Sequence, residues 1–180
     1  FIRTHVGTNK NGGAIFVNFV ENTLPFLIKD CFFIDTKSTN GSSIFIKPNI
    51  DSSTSEVRIE GCNFKNTLSS IEGHSIYISK TDKNKVTISS CQMIDCGTNT
   101  NSYSIYLDVR DLDFTYNKIM FSNPEKSCGC VDLKTIGQHI FNGNYFKNAR
   151  FDGSIWKSPG INGDVTDSLT SLLINNNTFD

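Results

Sequence analysis

The sequence predicts an all-β fold, a parallel β-helix of about six coils with three short strands in each. Three observations predict it. The first is a motif, Ile59-x-x-Cys62-x-Phe64-x-Asn66, that returns five times. Its copies are Ile28-x-x-Cys31-x-Phe33-x-Asp35, Ile88-x-x-Cys91-x-Met93-x-Asp95, Tyr116-x-x-Ile119-x-Phe121-x-Asn123, Phe141-x-x-Asn144-x-Phe146-x-Asn148 and Ile174-x-x-Asn177-x-Phe179. The second is a four-residue pattern that keeps step with it: small, aliphatic, large, aliphatic. It reads Ala14-Ile15-Phe16-Val17, Ser43-Ile44-Phe45-Ile46, Ser75-Ile76-Tyr77-Ile78, Ser104-Ile105-Tyr106-Leu107 and Cys130-Val131-Asp132-Leu133, with a weaker copy at Ser154-Ile155-Trp156-Lys157. The third is the spacing. Measured from Ile15, the intervals are 29, 32, 29, 26 and 24 residues, which suits stacked supersecondary units and not one globular core.

Each element follows from its pattern. The four-residue pattern alternates, so it is a strand; Ile15 and Val17, Ile44 and Ile46, and Ile76 and Ile78 share the inward face. Helix is disfavoured because the apolar runs are short, β-branched and aromatic, with Gly or Asn clusters between them. The longer motif is apolar at relative positions 1, 4 and 6. That breaks strict alternation once, where the chain bends between two short strands. Coils begin near residues 14, 43, 75, 104, 130 and 154.

Stacking at roughly 4.8 Å per coil places equivalent side chains over one another. Ile28, Ile59, Ile88, Tyr116, Phe141 and Ile174 are expected in one inner column. Phe33, Phe64, Met93, Phe121, Phe146 and Phe179 are expected in a second, each burial contributing about 1.5–3 kcal/mol. Cys31, Cys62 and Cys91 share a third column as small buried hydrophobes. Asp35, Asn66, Asp95, Asn123 and Asn148 form a polar column at a turn, where side-chain amides can hydrogen-bond along the axis. Length varies after the four-residue strand (18–24, 47–56, 158–171) and before it (37–42, 68–74, 97–103). Loops of variable length on a fixed scaffold are where function is usually placed.

Bulk properties narrow the partners. The 180 residues suit one domain, 1–180. Phe1-Ile2-Arg3-Thr4 resembles Phe33-Ile34-Asp35-Thr36, and the chain stops at Phe179-Asp180. It therefore reads as a β-helix segment of a longer protein, with further coils among its expected partners. A net charge of -1 argues against nucleic acid. No apolar run approaches the roughly 18 residues of a membrane-spanning helix.

Gly12-Gly13-Ala14-Ile15 followed by Cys31-x-Phe33-x-Asp35, together with Ile59-x-x-Cys62-x-Phe64-x-Asn66, resembles the repeats of right-handed parallel β-helices of the pectin-lyase-like kind. The repeats are most similar to those of polymorphic outer-membrane-type, autotransporter-like surface proteins, including sets in protist parasites. The Gly-Gly-Ala element is complete only in the first repeat; Ser replaces Ala elsewhere. The resemblance implies a right-handed solenoid and a passenger-type adhesive region at the cell surface or outside the cell. An intracellular cytoskeletal scaffold is the alternative location.

Chemistry-bearing residues are sparse. Phe16, Phe45, Tyr77 and Tyr106 should face outward on successive coils, with Trp156 following after an interruption at Asp132. Such a strip suits a glycan or a protein partner, with Tyr77 and Tyr106 stacking on sugar faces and Ser79 and Asp108 supplying hydrogen bonds. Gly73-His74-Ser75 faintly resembles the Gly-His-Gly of pectin-degrading hydrolases, yet Arg58-Ile59-Glu60 stands where those enzymes carry Arg-Ile-Lys. No catalytic residue, metal or cofactor is therefore assigned. Asp108, Asp111 and Asp113 are the one dense acidic group, and a calcium site competes there with a solvated loop. A Cys96–Cys128 disulfide competes with free thiols. Asn40-Gly41-Ser42 and Asn176-Asn177-Thr178 are glycosylation sequons. The function expected is a non-catalytic segment displaying loops and an aromatic strip; a stalk spacer or filament scaffold, and a polysaccharide lyase or hydrolase, are the alternatives.

Overall fold

Every strand pairing in the structure, a computed structural model, is parallel, and the chain winds into a β-solenoid. The structure describes residues 1–7, 9–19, 25–48, 56–97, 102–133, 137–149, 156–157 and 171–180; for 19, 48, 80–84 and 156–157 it describes the backbone alone. The first strand of successive coils runs as Ile15–Phe19, Ile44–Pro48, Ile76–Ser89, Tyr103–Thr115, Gly129–Leu133 and Trp156–Lys157. A six-stranded sheet stacks Phe32–Ile34, Asn63–Lys65, Gln92–Ile94, Lys118–Met120, Tyr145–Lys147 and Thr178–Phe179. Between them lie Phe26–Lys29, Val57–Glu60, Gln138–Asn142 and Ser171–Asn175. In the third and fourth coils this middle strand is fused with the first into one long strand. The segments 37–40 and 68–72, expected as loops, pair with each other as short parallel strands.

The interior is built from columns. Ile44, Ile76, Ile105 and Val131 are in register and fully buried. Phe33 stacks on Phe64 at 4.9 Å and Phe146 on Phe179 at 5.2 Å. The small residue that opens the four-residue pattern has a specific job. Ser43 bonds Thr36 at 2.8 Å, Ser75 bonds Thr67 at 2.7 Å, and Ser104 donates to the Cys96 carbonyl at 2.7 Å. A larger residue would displace this buried closure between the end of one turn and the start of the next.

The fourth coil departs from the expected frame by two residues. Ile119 stands in register with Met93 and with Phe146, and Phe114 with Ile88 and Phe141. The true copy is thus Phe114-x-x-Asn117-x-Ile119-x-Phe121. Tyr116 is no inner rung: it is 62% exposed, at a left-handed corner with φ 57°. Phe121 is buried but lies two residues past the phenylalanine column. Asn123 leaves the polar column and caps the 3-10 helix Pro124–Lys126, accepting from the Glu125 N–H at 2.9 Å. The remaining polar members, Asp35, Asn66, Asp95 and Asn148, all have φ of 53–55°, a region that Asn and Asp tolerate better than most residues. Their mutual bonding is local: Asn66 donates to Asp35 at 3.1 Å, whereas Asp95 accepts from the Ser122 N–H and hydroxyl.

The cysteine column proves to be half of a longer ladder. Asn117, Asn144 and Asn177 continue the positions of Cys31, Cys62 and Cys91. Each asparagine Nδ2 donates at 2.8 Å to a carbonyl of the preceding coil (Ile88, Phe114 and Phe141), as the Cys62 and Cys91 thiols do more weakly to Ile28 and Ile59. Each Oδ1 accepts a backbone N–H from that coil, from Cys91, Asn117 and Asn144, all at 2.9 Å. Buried backbone groups at this corner are satisfied by the side chain below them. All six cysteines are free, including Cys96 and Cys128. Burial pushes the Cys128 thiol up to about 12 and raises Cys96 and Cys130 as well, so these thiols stay protonated and unreactive.

His139 breaks the apolar rule of the inward strand positions. It is in register with Leu112 and Leu172, fully buried, and neither ring nitrogen has a well-formed hydrogen bond. Its burial lowers its pKa. Replacing His139 by Leu is expected to stabilise the fold by about 1–3 kcal/mol. The gain, read by urea denaturation, should grow as pH falls below 6.5, because the unfolded imidazole takes up a proton that the folded one resists.

Candidate functional site

The outward column of the first strand forms a ladder of rings. Register pairs Phe16 with Phe45, Phe45 with Tyr77 and Tyr77 with Tyr106. The rings stack at 5.2, 4.9 and 4.5 Å with planes within 6° of parallel. Parallel in-register strands impose this spacing, and it nearly matches the thickness of stacked rings. Phe45 is only 5% exposed and Phe16 is 55% exposed.

This stacking changes what the ladder can offer. Both faces of Phe45 and Tyr77 are covered by neighbouring rings, so no sugar ring can lie flat on Tyr77 as expected. The ladder presents ring edges. Burial, with the nearby Tyr77, raises the Tyr106 phenol above its usual range, which keeps it neutral and able to donate.

Polar rails flank the rings. Phe45, Tyr77 and Tyr106 floor an open groove of about 490 Å³. Asn11 and Asn40 line one side, joined by an Asn40 Nδ2 to Asn11 Oδ1 bond of 3.1 Å. Lys47, Ser79 and Asp108 line the other. Glycines bring the first wall close. Gly41 has φ 55°, and a Cβ there would sit 2.4 Å from the Ile44 carbonyl oxygen and 2.9 Å from the Tyr77 Cβ. Ser79 and Asp108 were legible from the sequence; Asn40 was read only as a sequon, and Asn11 and Lys47 carried no expectation. The usable signal was Asn-Gly ahead of the first strand in each of the first two coils.

Other expected sites resolve differently. The backbone register sets Trp156 opposite Val131 and Lys157 opposite Asp132, so Lys157 takes the strand position in the ring column that the repeat gave to Trp156. The Trp156 side chain lies outside the described residues. Asp111 accepts from the Gln138 N–H at 3.1 Å and Asp113 pairs with Lys85 at 2.5 Å. Asp108 faces the groove. Among the described residues no group of three His, Cys, Asp or Glu could hold a metal ion. Arg58 pairs with Glu60 on its own strand. His74 is buried, with both nitrogens bonded by neighbours; in this arrangement it reaches no substrate. Of the sequon residues, Asn40 is bonded within the groove wall and Asn176 is exposed at a corner with φ 52°. No helix among the described residues is long and apolar enough to cross a membrane.

The fold and groove define the class: a parallel β-solenoid carrying an aromatic-floored groove along its axis. No family model, curated protein or solved structure matches the chain. The likeness to pectin-lyase-like and outer-membrane-type repeats rests on the repeat pattern alone.

Proposed function

We propose that this chain is a non-catalytic β-solenoid segment of a surface or secreted protein, and that its groove binds an extended glycan. The observation that carries this reading is the groove itself, which crosses successive coils with ring edges on its floor and amide, hydroxyl and charged groups along its rims. A strand spacing of roughly 4.8 Å is of the order of one sugar unit in an extended chain, so each coil can meet one unit. With the ring faces occupied, affinity comes from the rims, and the edges supply shape.

The test is calorimetric titration with a panel of soluble polysaccharides, followed by assay of the same samples for new reducing or unsaturated ends. Binding without cleavage is expected. Asn40→Ala/Asp108→Ala should weaken it about tenfold or more, since each lost hydrogen bond is worth about 0.5–1.5 kcal/mol. Tyr77→Ala/Tyr106→Ala should abolish it by removing the floor. Cleavage, or binding untouched by both double variants, overturns the proposal. The second reading is a structural spacer. Absence of any glycan binding would point to it.

A further inference from the structure

We propose that His74 is an acid-operated latch: protonating its imidazole releases the Leu68–Glu72 strand from the neighbouring coil and loosens the wall of the aromatic groove. The side chain is 1% exposed and ties three segments together. Its Nδ1 accepts the Ser69 N–H at 2.9 Å, and the Ser69 hydroxyl lies 3.2 Å away while donating to the Glu72 carbonyl. A backbone N–H can only donate, so Nδ1 must be bare and Nε2 must carry the proton. That proton faces the Ser102 hydroxyl of the next coil at 2.5 Å. On the other side, Ser42 donates to the His74 carbonyl. The ring packs on Gly97, where a Cβ would lie 2.4 Å from Cδ2.

A second proton has nowhere favourable to go. An N–H at Nδ1 would confront the Ser69 N–H, two donors head to head. The titratable groups on the elements that meet the ring are Glu72 on its own turn, Lys37 on the strand paired with 68–72, Cys96 before Gly97, Tyr103 beside Ser102, and Cys128, whose sulfur also borders Gly97. Burial keeps both thiols neutral. Burial also holds the imidazole down at about 4. The sign follows from that depression: the closed form is fully favoured above about 6.5, the ordinary imidazole value, and loses its advantage as pH falls towards 4. A gap of this size makes opening roughly a hundredfold more favourable at pH 4 than at pH 7.

Opening reaches the groove through the backbone. Asn40 pairs in register with Glu72, and the Glu72 carbonyl accepts the Gly41 N–H at 3.3 Å. Gly73 lies against Tyr77, with a Cβ there meeting the tyrosine Cβ at 3.0 Å. Freeing 68–72 therefore removes the support behind Asn40.

Hydrogen–deuterium exchange at pH 7 and pH 4.5, corrected for intrinsic rates, tests the latch. Protection should fall by on the order of a hundredfold in 68–72 and 102–104, and hold in the sheet through Phe64 and Met93. In His74→Asn, whose amide oxygen can accept the Ser69 N–H but does not titrate, the acid-induced loss should vanish. Equal loss in both regions, or an unchanged pH response in His74→Asn, overturns the proposal. A wild-type histidine NMR titration keeps the test decisive if that variant does not fold. His74 should titrate only together with the loss of protection; titration near 6.5 with protection intact overturns the latch. His139, the other buried imidazole, is common to both proteins.

Discussion

Asn144→Ala is expected to destabilise the solenoid by about 4 kcal/mol, because it orphans two buried backbone groups at once and each costs about 1–3 kcal/mol. The Asn117 N–H loses the Oδ1 that accepts it at 2.9 Å, and the Phe114 carbonyl loses an Nδ2 donor at 2.8 Å. Asn177 below also loses the amide that donates to its Oδ1. The upper half of the ladder supplies an internal comparison. There, cysteine thiols donate to the equivalent carbonyls at 3.5–3.7 Å. Asn144→Cys should therefore recover part of the loss, and Asn144→Leu none. Urea denaturation followed by circular dichroism reads the series. Equal midpoints for wild type and Asn144→Ala would show that the ladder contributes nothing to stability.

Phe64→Ala is expected to cost about 3–5 kcal/mol, the usual penalty for deleting a ring from a close-packed interior. Phe64 is almost wholly buried and stacks on Phe33. The cavity has no way to collapse, since strand spacing is pinned by the backbone bonds of the coils above and below. Phe32→Ala is the matched control. That ring is 59% exposed on the same sheet, and its loss should move the denaturation midpoint by about 0.5 kcal/mol or less. Similar costs for both would contradict the inward–outward alternation on which the whole fold rests.

The two predictions mark how far the sequence could be read. The Phe64 column was legible because every strand repeats one local rule, an apolar residue at every second position, and stacking turns that rule into a column. The fourth copy was not, because the interior accepts Ile119 in a place where most other coils put a ring, while Phe121 imitates the aromatic two residues later. Only the hydrogen-bond needs of the corner separate the frames: Asn117 fits as the partner of Asn144, and Ile119, which the expected frame set there, does not. The outward aromatic strip was likewise legible as a set of positions. That its rings would stack on one another, turning a set of sugar platforms into a groove of edges with rims from Asn11, Asn40 and Lys47, depends on spacing between coils and on the path of the glycine turns.

Sequence alone determined the architecture of this protein: the period, the strand alternation and the identity of most columns, because these arise from contacts that repeat at a fixed distance along the chain. Tertiary structure alone decided the register of the fourth coil, the continuity of the cysteine and asparagine ladders, the sealing of His74 and the shape of the groove. Each of these is set by which residues of neighbouring coils satisfy one another's buried donors and acceptors, and no single repeat carries that information.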